Sequence, residues 1–388
     1  MKKLFQVWLN EYRVIFSDFG SLLIFFGAII IYPFFYPLPY TNEVLKNIPV
    51  AIVDMNHSQL SHKLTRMIDT SEFVLVATSV STFDQAKASL LKGDINGIVY
   101  IPNNFEKRVL RGEQASVSVY SDASNFLIYK QVLSGIYNTV GTFSGGIEIN
   151  RMLARGIMQE QAILARDPLA LISFPLFNSA GGYATYVVPA VLVLLLQQTL
   201  LIGVGLLSGT QREKGFDKNN LPQSVSIVSL VLGKAFSYFS IYMVHVVYLF
   251  GILFRFYHFP QRGNPIDLVL FIIPYLFASI FLAQAISGFF KSREVSMVIL
   301  LFSSMPALFL SGFSWPKSSM PGWLNKLAML LPSTPGIDGF LRINQMGASL
   351  KNVEFNWGVL LGLTVVYFIL AVISVERQHN KSVENHLS

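Results

Sequence analysis

Residues 48–64 read IPVAIVDMNHSQLSHKL, and they follow closely on LLIFFGAIIIYPFFY at 22–36. The two stretches suit different solvents. In the first, an apolar, partly β-branched run from Ile48 to Val53 ends at Asp54. A turn follows, and Asn56 or Ser58 can cap a helix in which Leu60, Leu64, Met67 and Ile68 recur at helical spacing. That is the pattern of a soluble α/β domain. In the second, no charge interrupts an apolar run that continues into YPFFYPLPY, the aromatic composition of a membrane–water boundary. The reading of the whole chain therefore turns on how a water-soluble domain comes to hang directly from a membrane helix.

Composition agrees that both solvents are present. Of 388 residues, 52% are hydrophobic and 13% charged, against roughly 25% charged in an ordinary soluble domain. The charge deficit is concentrated near 19–40 and from about 182 to 374. No cysteine occurs, which excludes disulfides, zinc thiolate sites and a cysteine nucleophile. The net charge of +7 fits basic residues in cytoplasmic loops and against anionic headgroups. No basic helix interleaved with aromatics points to nucleic acid.

Along the chain, residues 1–17 carry Phe5, Trp8, Leu9, Tyr12, Ile15 and Phe16 at helical spacing, which predicts an interfacial amphipathic helix on the cytoplasmic face. A signal peptide fits poorly, because the apolar run starts late and no A-x-A site follows. A first span falls within 18–40. Residues 41–178 have soluble composition: strand-like runs at 48–54, 73–79, 95–102 and 115–122 alternate with helical patterns near 58–70, 82–92 and 103–111, and a long helical stretch follows Asn125. A last extended run at 169–178 leads back to the membrane. The block 179–374 holds five further spans, near 183–208, 234–257, 266–290, 297–313 and 357–374, and 375–388 is a polar tail. The fold class is thus an all-α six-helix transmembrane domain with an inserted extracytoplasmic α/β domain.

Six spans put both termini on one side. Lys2, Lys3, Arg13, Arg212, Lys214, Lys218, Lys291, Arg293, Arg377 and Lys381 share that side. The other has His258 and Arg262, then Lys317, Lys326, Arg342 and Lys351 spread over a long loop. The positive-inside rule assigns the termini to the cytoplasm and 41–178 to the outside, the periplasm in a Gram-negative cell.

Enzyme motifs are missing: Gly233-Lys234 lacks the rest of a phosphate loop, and neither H-E-x-x-H nor G-x-S-x-G occurs. His57 and His62 stand five apart, a spacing that does not share one helical face. Two surface histidines beside a helix cap are the ordinary reading, with a metal site including Asp54 as the alternative. Lys234, costly in lipid, is expected at the headgroup boundary at the end of a short helix begun by Pro222. Gln197 and Gln198 lie mid-span, where polar side chains face a partner helix or a transport pathway.

Three stretches carry a family resemblance. QREKGF (211–216), then LPQS (221–224) and LGK (232–234), resembles the cytoplasmic loop of type-2 ABC transporter permeases, with Phe216 where the family has Thr and Leu221-Pro222 where it has Thr-Pro. MPALFLSGFSWPKSSMPGWLNKLAMLLPSTPG (305–336) is similar to the family's Ser-Gly-Phe, Met-Pro and Pro-x-Thr segment after the fifth span. VDMNHSQLS (53–61) resembles the start of the outer domain in the drug-exporter branch.

The resemblance implies one permease half of an ATP-driven exporter for amphipathic or hydrophobic, drug-like or lipid-like molecules, in the bacterial inner membrane. It implies a second permease copy, identical or a sister chain, and separate ABC ATPase subunits that carry the ATP and magnesium. A periplasmic membrane-fusion adaptor and the membrane lipids complete the implied partners; no cofactor is expected on this chain. Residues 209–233 would be the coupling segment, with Arg212, Glu213, Lys214, Gly215, Lys291 and Arg293 facing the ATPase. Residues 315–350 would be re-entrant, framed by Ser311, Gly312, Pro316, Pro321 and Pro332, and Gln197 and Gln198 would border the substrate pathway. The alternative is a membrane-anchored extracytoplasmic receptor or scaffold without transport.

Overall fold

The computed structural model of the chain describes residues 2–169, 171–213, 225–290 and 292–387, with side chains to 378. Two compact units result: Val44–Phe174, and a helical unit formed by the residues on either side of it in sequence.

The chain begins with α1 (Lys2–Ser17) and a first apolar helical stretch, span 1 (Phe19–Tyr40). The inner unit follows as β1 (Ile48–Asp54), α2 (Gln59–Asp69), β2 (Val74–Val80), α3 (Phe83–Lys92), β3 (Gly97–Ile101), α4 (Phe105–Arg111), β4 (Ser118–Ser121), α5 (Phe126–Ala154) and α6 (Gln159–Arg166). The strands form one sheet of order β2-β1-β3-β4, parallel except for the β3–β4 pair. β1 is central and almost wholly buried, which explains its continuous apolar run: a strand covered on both faces has no solvent side to alternate with. Val50 and Ile52 pack on one face with Leu64 and Ile68 of α2 and Val132 and Ile136 of α5. Ala51 and Val53 pack on the other with Ala86 of α3 and Ile98 of β3. The chain steps from β1 to β2 in one direction and back past β1 to β3 in the other. Right-handed crossovers then require α2 and α3 on opposite faces, which is where they lie. Ser58, not Asn56, caps α2; its hydroxyl accepts from the Ser61 amide.

Beyond residue 174 the helical unit continues as span 2 (Tyr183–Glu213), span 3 (Ile227–Phe256), span 4 (Pro265–Ser287), span 5 (Arg293–Leu310) and span 6 (Leu350–Gln378). Between spans 5 and 6 lie α7 (Gly322–Ala328) and α8 (Ser333–Asn344). Span 2 is the hub: 89% of its most apolar window is buried, against 22%, 17% and 22% in spans 1, 5 and 6. The latter three therefore present broad apolar faces outward, as a protein surrounded by lipid requires.

Several expectations are corrected. Span 2 runs on unbroken through Glu213, and span 3 begins at Ile227, so no separate helix ends at Lys234; the part of the coupling segment at 214–224 lies outside the described residues. The extended run expected at 169–178 forms no strand among the described residues. α1, expected to lie on the membrane surface, also packs on the helical unit: Val7, Glu11 and Ile15 are buried, while Phe5, Leu9 and Phe16 stay exposed. The cause is a close crossing of α1 over span 3. A Cβ at Gly233 would come within 2.7 Å of Val7, so the seam is set where that glycine admits the partner helix. The exposed rings are left facing outward.

Truncating Ile52 in β1, which is fully buried, leaves a cavity in the face of the sheet covered by α2 and α5. The expected cost is about 2–5 kcal/mol. Amide exchange of β1 and β3 in Ile52→Ala should accelerate by at least roughly thirtyfold, while span 2 amides stay unchanged.

Candidate functional site

The conserved logic of a helix end is that amides at its start and carbonyls at its finish have no partner within the helix. At one end of the helical unit, the last two residues of span 2 serve both kinds of terminus. Arg212 donates from Nη1 to the carbonyl of Phe290 and from Nη2 to that of Ser287, at 3.1 Å for the latter. Its cation thus sits on the carbonyl end of span 4, where the helix dipole is negative. Glu213 accepts at Oε1 from the backbone amide of Arg293, 2.8 Å away. Its carboxylate lies on the amide end of span 5, where Ser292 caps in the ordinary way by accepting from the Val295 amide.

Arg293 extends the junction. Its guanidinium meets Asp18 at 3.4 Å, and Asp18 in turn caps the start of span 1 by accepting from the Ser21 amide at 2.8 Å. Close backbone contact holds the arrangement: a Cβ on Gly209 would lie 2.7 Å from the Arg293 backbone. Spans 1, 2, 4 and 5 are thereby joined through Asp18, Arg212, Glu213 and Arg293. Lys214, Gly215 and Lys291 lie outside the described residues.

A second polar cluster pins α1 to span 3. Glu11 is 2% exposed; it accepts from the Tyr238 hydroxyl and faces Lys234 Nζ at 3.4 Å. Ser237 adds a bond to the carbonyl of Trp8 at 2.8 Å. Lys234, expected at the headgroup boundary, is thus paired with a carboxylate on α1. An amine paired within the helix packing avoids the cost of an isolated charge in lipid. The sequence held a signal for this: Leu4, Val7, Glu11 and Ile15 recur at spacings of three and four.

The two mid-span glutamines are both buried. Gln197 donates from Nε2 to Ser333 Oγ at 3.4 Å, which ties span 2 to the start of α8. Neither Gln197 Oε1 nor Gln198 Oε1 meets a donor among the described residues. Next to them Thr199 receives the Tyr242 hydroxyl at 2.9 Å, and Tyr275 donates to the Val193 carbonyl at 2.5 Å.

The 311–344 stretch is short helices with turns between them. Ser311 bonds back to Leu308 at 2.6 Å, and Gly312 takes φ +82, a conformation that disfavours any side chain. Pro316 precedes a single turn at Lys317–Ser319, Pro321 precedes α7, and Pro332 precedes α8. α8 is packed inside protein: Cβ atoms at Gly336 and Gly339 would collide with the rings of Tyr275 and Phe271. Asp338 gathers Asn356 at 2.8 Å, Arg342 at 3.3 Å and Lys317 at 3.7 Å. At the opposite end of span 2 from Arg212, Glu43 accepts from the Thr185 amide at 3.1 Å and its hydroxyl at 2.7 Å. Sequence reasoning did not single out Glu11, Asp18, Glu43 or Asp338, since each is defined by a partner distant in sequence.

Comparison with known proteins gives this arrangement a context. The family described as ABC-2 family transporter protein matches residues 19–373. The chain is 22% identical to the inner membrane transport permease YhhJ of Escherichia coli K12, covering 96% of both chains. It is 23% identical to the probable multidrug ABC transporter permease YbhR of the same organism, over 87% of this chain and 86% of that one. To the linearmycin resistance permease protein LnrN of Bacillus subtilis it is 21% identical, over 95% and 98% respectively.

Glu11→Ala leaves Lys234 without its carboxylate. The expected loss is about 3–5 kcal/mol, read as a drop in the thermal unfolding midpoint of the detergent-solubilised protein. Adding Lys234→Met should recover a large part of it. A double variant no better than the single would show that the pair contributes nothing through charge.

Proposed function

Since the chain belongs to the ABC-2 transporter family and is an ABC transporter permease of the multi-pass inner-membrane kind, we propose that it moves amphipathic or hydrophobic, drug-like or lipid-like molecules outward. The words "multidrug" and "linearmycin resistance" in the descriptions of two relatives support that substrate class and that direction. Family membership implies work with ABC ATPase subunits, and the ATP and magnesium belong to them. A second permease copy, identical or a sister chain, completes the transporter, and a periplasmic adaptor is the natural acceptor of cargo.

The observation that carries the coupling role is the Arg212–Glu213 junction. A push on the residues that follow Glu213 acts on the carbonyl end of span 4 and the amide end of span 5 together, because both ends are bonded to those two side chains. Arg293 and Asp18 carry the same displacement to span 1. On this reading both termini are cytoplasmic, and the 44–174 unit is extracytoplasmic, where it gates release or hands on cargo. Gln197 and Gln198 lie beside the route, with the Gln197–Ser333 bond as an element that must yield when the route opens.

The test is co-purification of the full chain with its candidate ABC ATPase. Wild type should bring the ATPase down, and Glu213→Ala/Lys214→Ala should lose most of it. Deletion of 45–175 should keep the association and abolish export of a fluorescent amphipathic dye from cells. Absence of any ATPase with wild type would favour a receptor or scaffold, and unchanged export by the deletion would remove the proposed role of that unit.

A further inference from the structure

We propose that Asp54, His57 and His62 form a binding site for a borderline transition-metal dication, of the zinc class, on the 44–174 unit. The three side chains each bring one donor atom to within 4.8 Å of the others. The sequence argument against them was that five residues do not share a helical face. That argument does not apply to this structure, because only His62 is on α2. His57 lies in the turn before Ser58 and has φ +50. The left-handed turn thus brings a His57 donor atom to within 4.8 Å of those of Asp54, at the end of β1, and His62, in the first turn of α2.

Asp54 is a preorganised ligand. It is 5% exposed at the last position of β1. Its Oδ1 accepts the backbone amides of Asn56 at 2.9 Å and His57 at 3.1 Å. Its Oδ2 accepts the Ser61 hydroxyl at 2.6 Å and lies 4.0 Å from His62 Nε2. Ser61 therefore orients Oδ2 as an outer-shell partner orients a ligating carboxylate, with His62 the nearest imidazole. Donors around a tetrahedral zinc at about 2.0–2.1 Å stand roughly 3.4 Å apart. The present separations close to that value by rotation of two exposed imidazoles, with the buried carboxylate fixed.

The donor set chooses the metal class. Two imidazoles and one carboxylate suit zinc, copper or nickel, and do not suit magnesium or calcium, which take oxygen ligands. Three protein ligands leave a fourth position open. His62 opens onto a groove also lined by Gln59, Lys63, Arg66 and Glu106, so water or a donor from another molecule can reach that position. Lys63 and Arg66 oppose a dication there, and Asp54 with Glu106 supplies the compensating charge. Bound metal would clip the end of β1 to the start of α2.

The measurement uses the full chain with a non-histidine affinity tag, in detergent, stripped with chelator and titrated with Zn2+ by calorimetry. One zinc per chain is expected. His57→Ala and His62→Ala should each weaken it by at least about a hundredfold, and Ser61→Ala by about ten- to a hundredfold. Co2+ in place of zinc should give the intense visible absorption of a four-coordinate site, lost in His57→Ala/His62→Ala. Absence of stoichiometric zinc in wild type would overturn the proposal. So would zinc uptake unchanged in the double variant, or abolished instead by His379→Ala/His386→Ala in the tail. In those cases Asp54 and His62 are simply a carboxylate and an imidazole side by side at a helix cap.

Discussion

The helical unit depends on one constraint: a helix end within or beside the membrane must find partners for its free amides and carbonyls in the protein itself. Span 2 meets this for its neighbours. Arg212 covers carbonyls at the finish of span 4, and Glu213 covers an amide at the start of span 5. Each charge sits on the dipole end of opposite sign. Adjacent residues of opposite charge can do this because spans 4 and 5 both pack against span 2 and are joined by a short connection. Their carbonyl and amide ends therefore open side by side, against the last turn of span 2. At the other end of span 2 the device is reversed: Glu43, following span 1, covers the amides of Thr185's turn.

The same economy governs the charges buried between helices. Glu11 with Lys234 and Tyr238 joins α1 to span 3, and Asp18 with Arg293 joins span 1 to span 5. In each case the acid lies in the N-terminal forty residues and the base more than two hundred residues later. Such pairs add little net stability when desolvation is counted, yet breaking one leaves a lone charge at high cost. Their effect is therefore on register. α1 cannot slide along span 3 without separating Glu11 from Lys234.

What the sequence made legible follows from the range of the forces involved. β1, its cap and the alternating strands and helices could be read locally, because burial on both faces writes a continuous apolar run and Ser58 precedes a periodic helix. Six spans could be read because lipid demands long apolar helices. The side of α1 that packs on span 3 could not, because Val7, Glu11 and Ile15 are selected by the notch at Gly233 and by Lys234, which lie on another helix. The pairing of Lys234 could not be read for the same reason, its partner being on another helix. Arg212 and Glu213 could be singled out as a charged motif, but that motif's local meaning as a double helix cap is visible only once spans 4 and 5 are placed beside it.

This double capping bears on how the proposed coupling would operate. A charged loop that met an ATPase only through mobile side chains would lose displacement to rotamer motion. Here the residues at the exit of span 2 are already bonded to the ends of two other helices, and Gly209 lets the backbones of spans 2 and 5 touch. A displacement delivered just beyond Glu213 reaches backbone in spans 4 and 5 within one side chain's length, and span 1 through Arg293 and Asp18. Span 2 is also bonded through Gln197 to Ser333 at the start of α8, in the middle of its length. The most buried helix of the unit thus connects the charged junction at one end with the broken, proline-framed segment along its side. On the proposed reading, that is the path by which an event at the junction changes the packing around the glutamines.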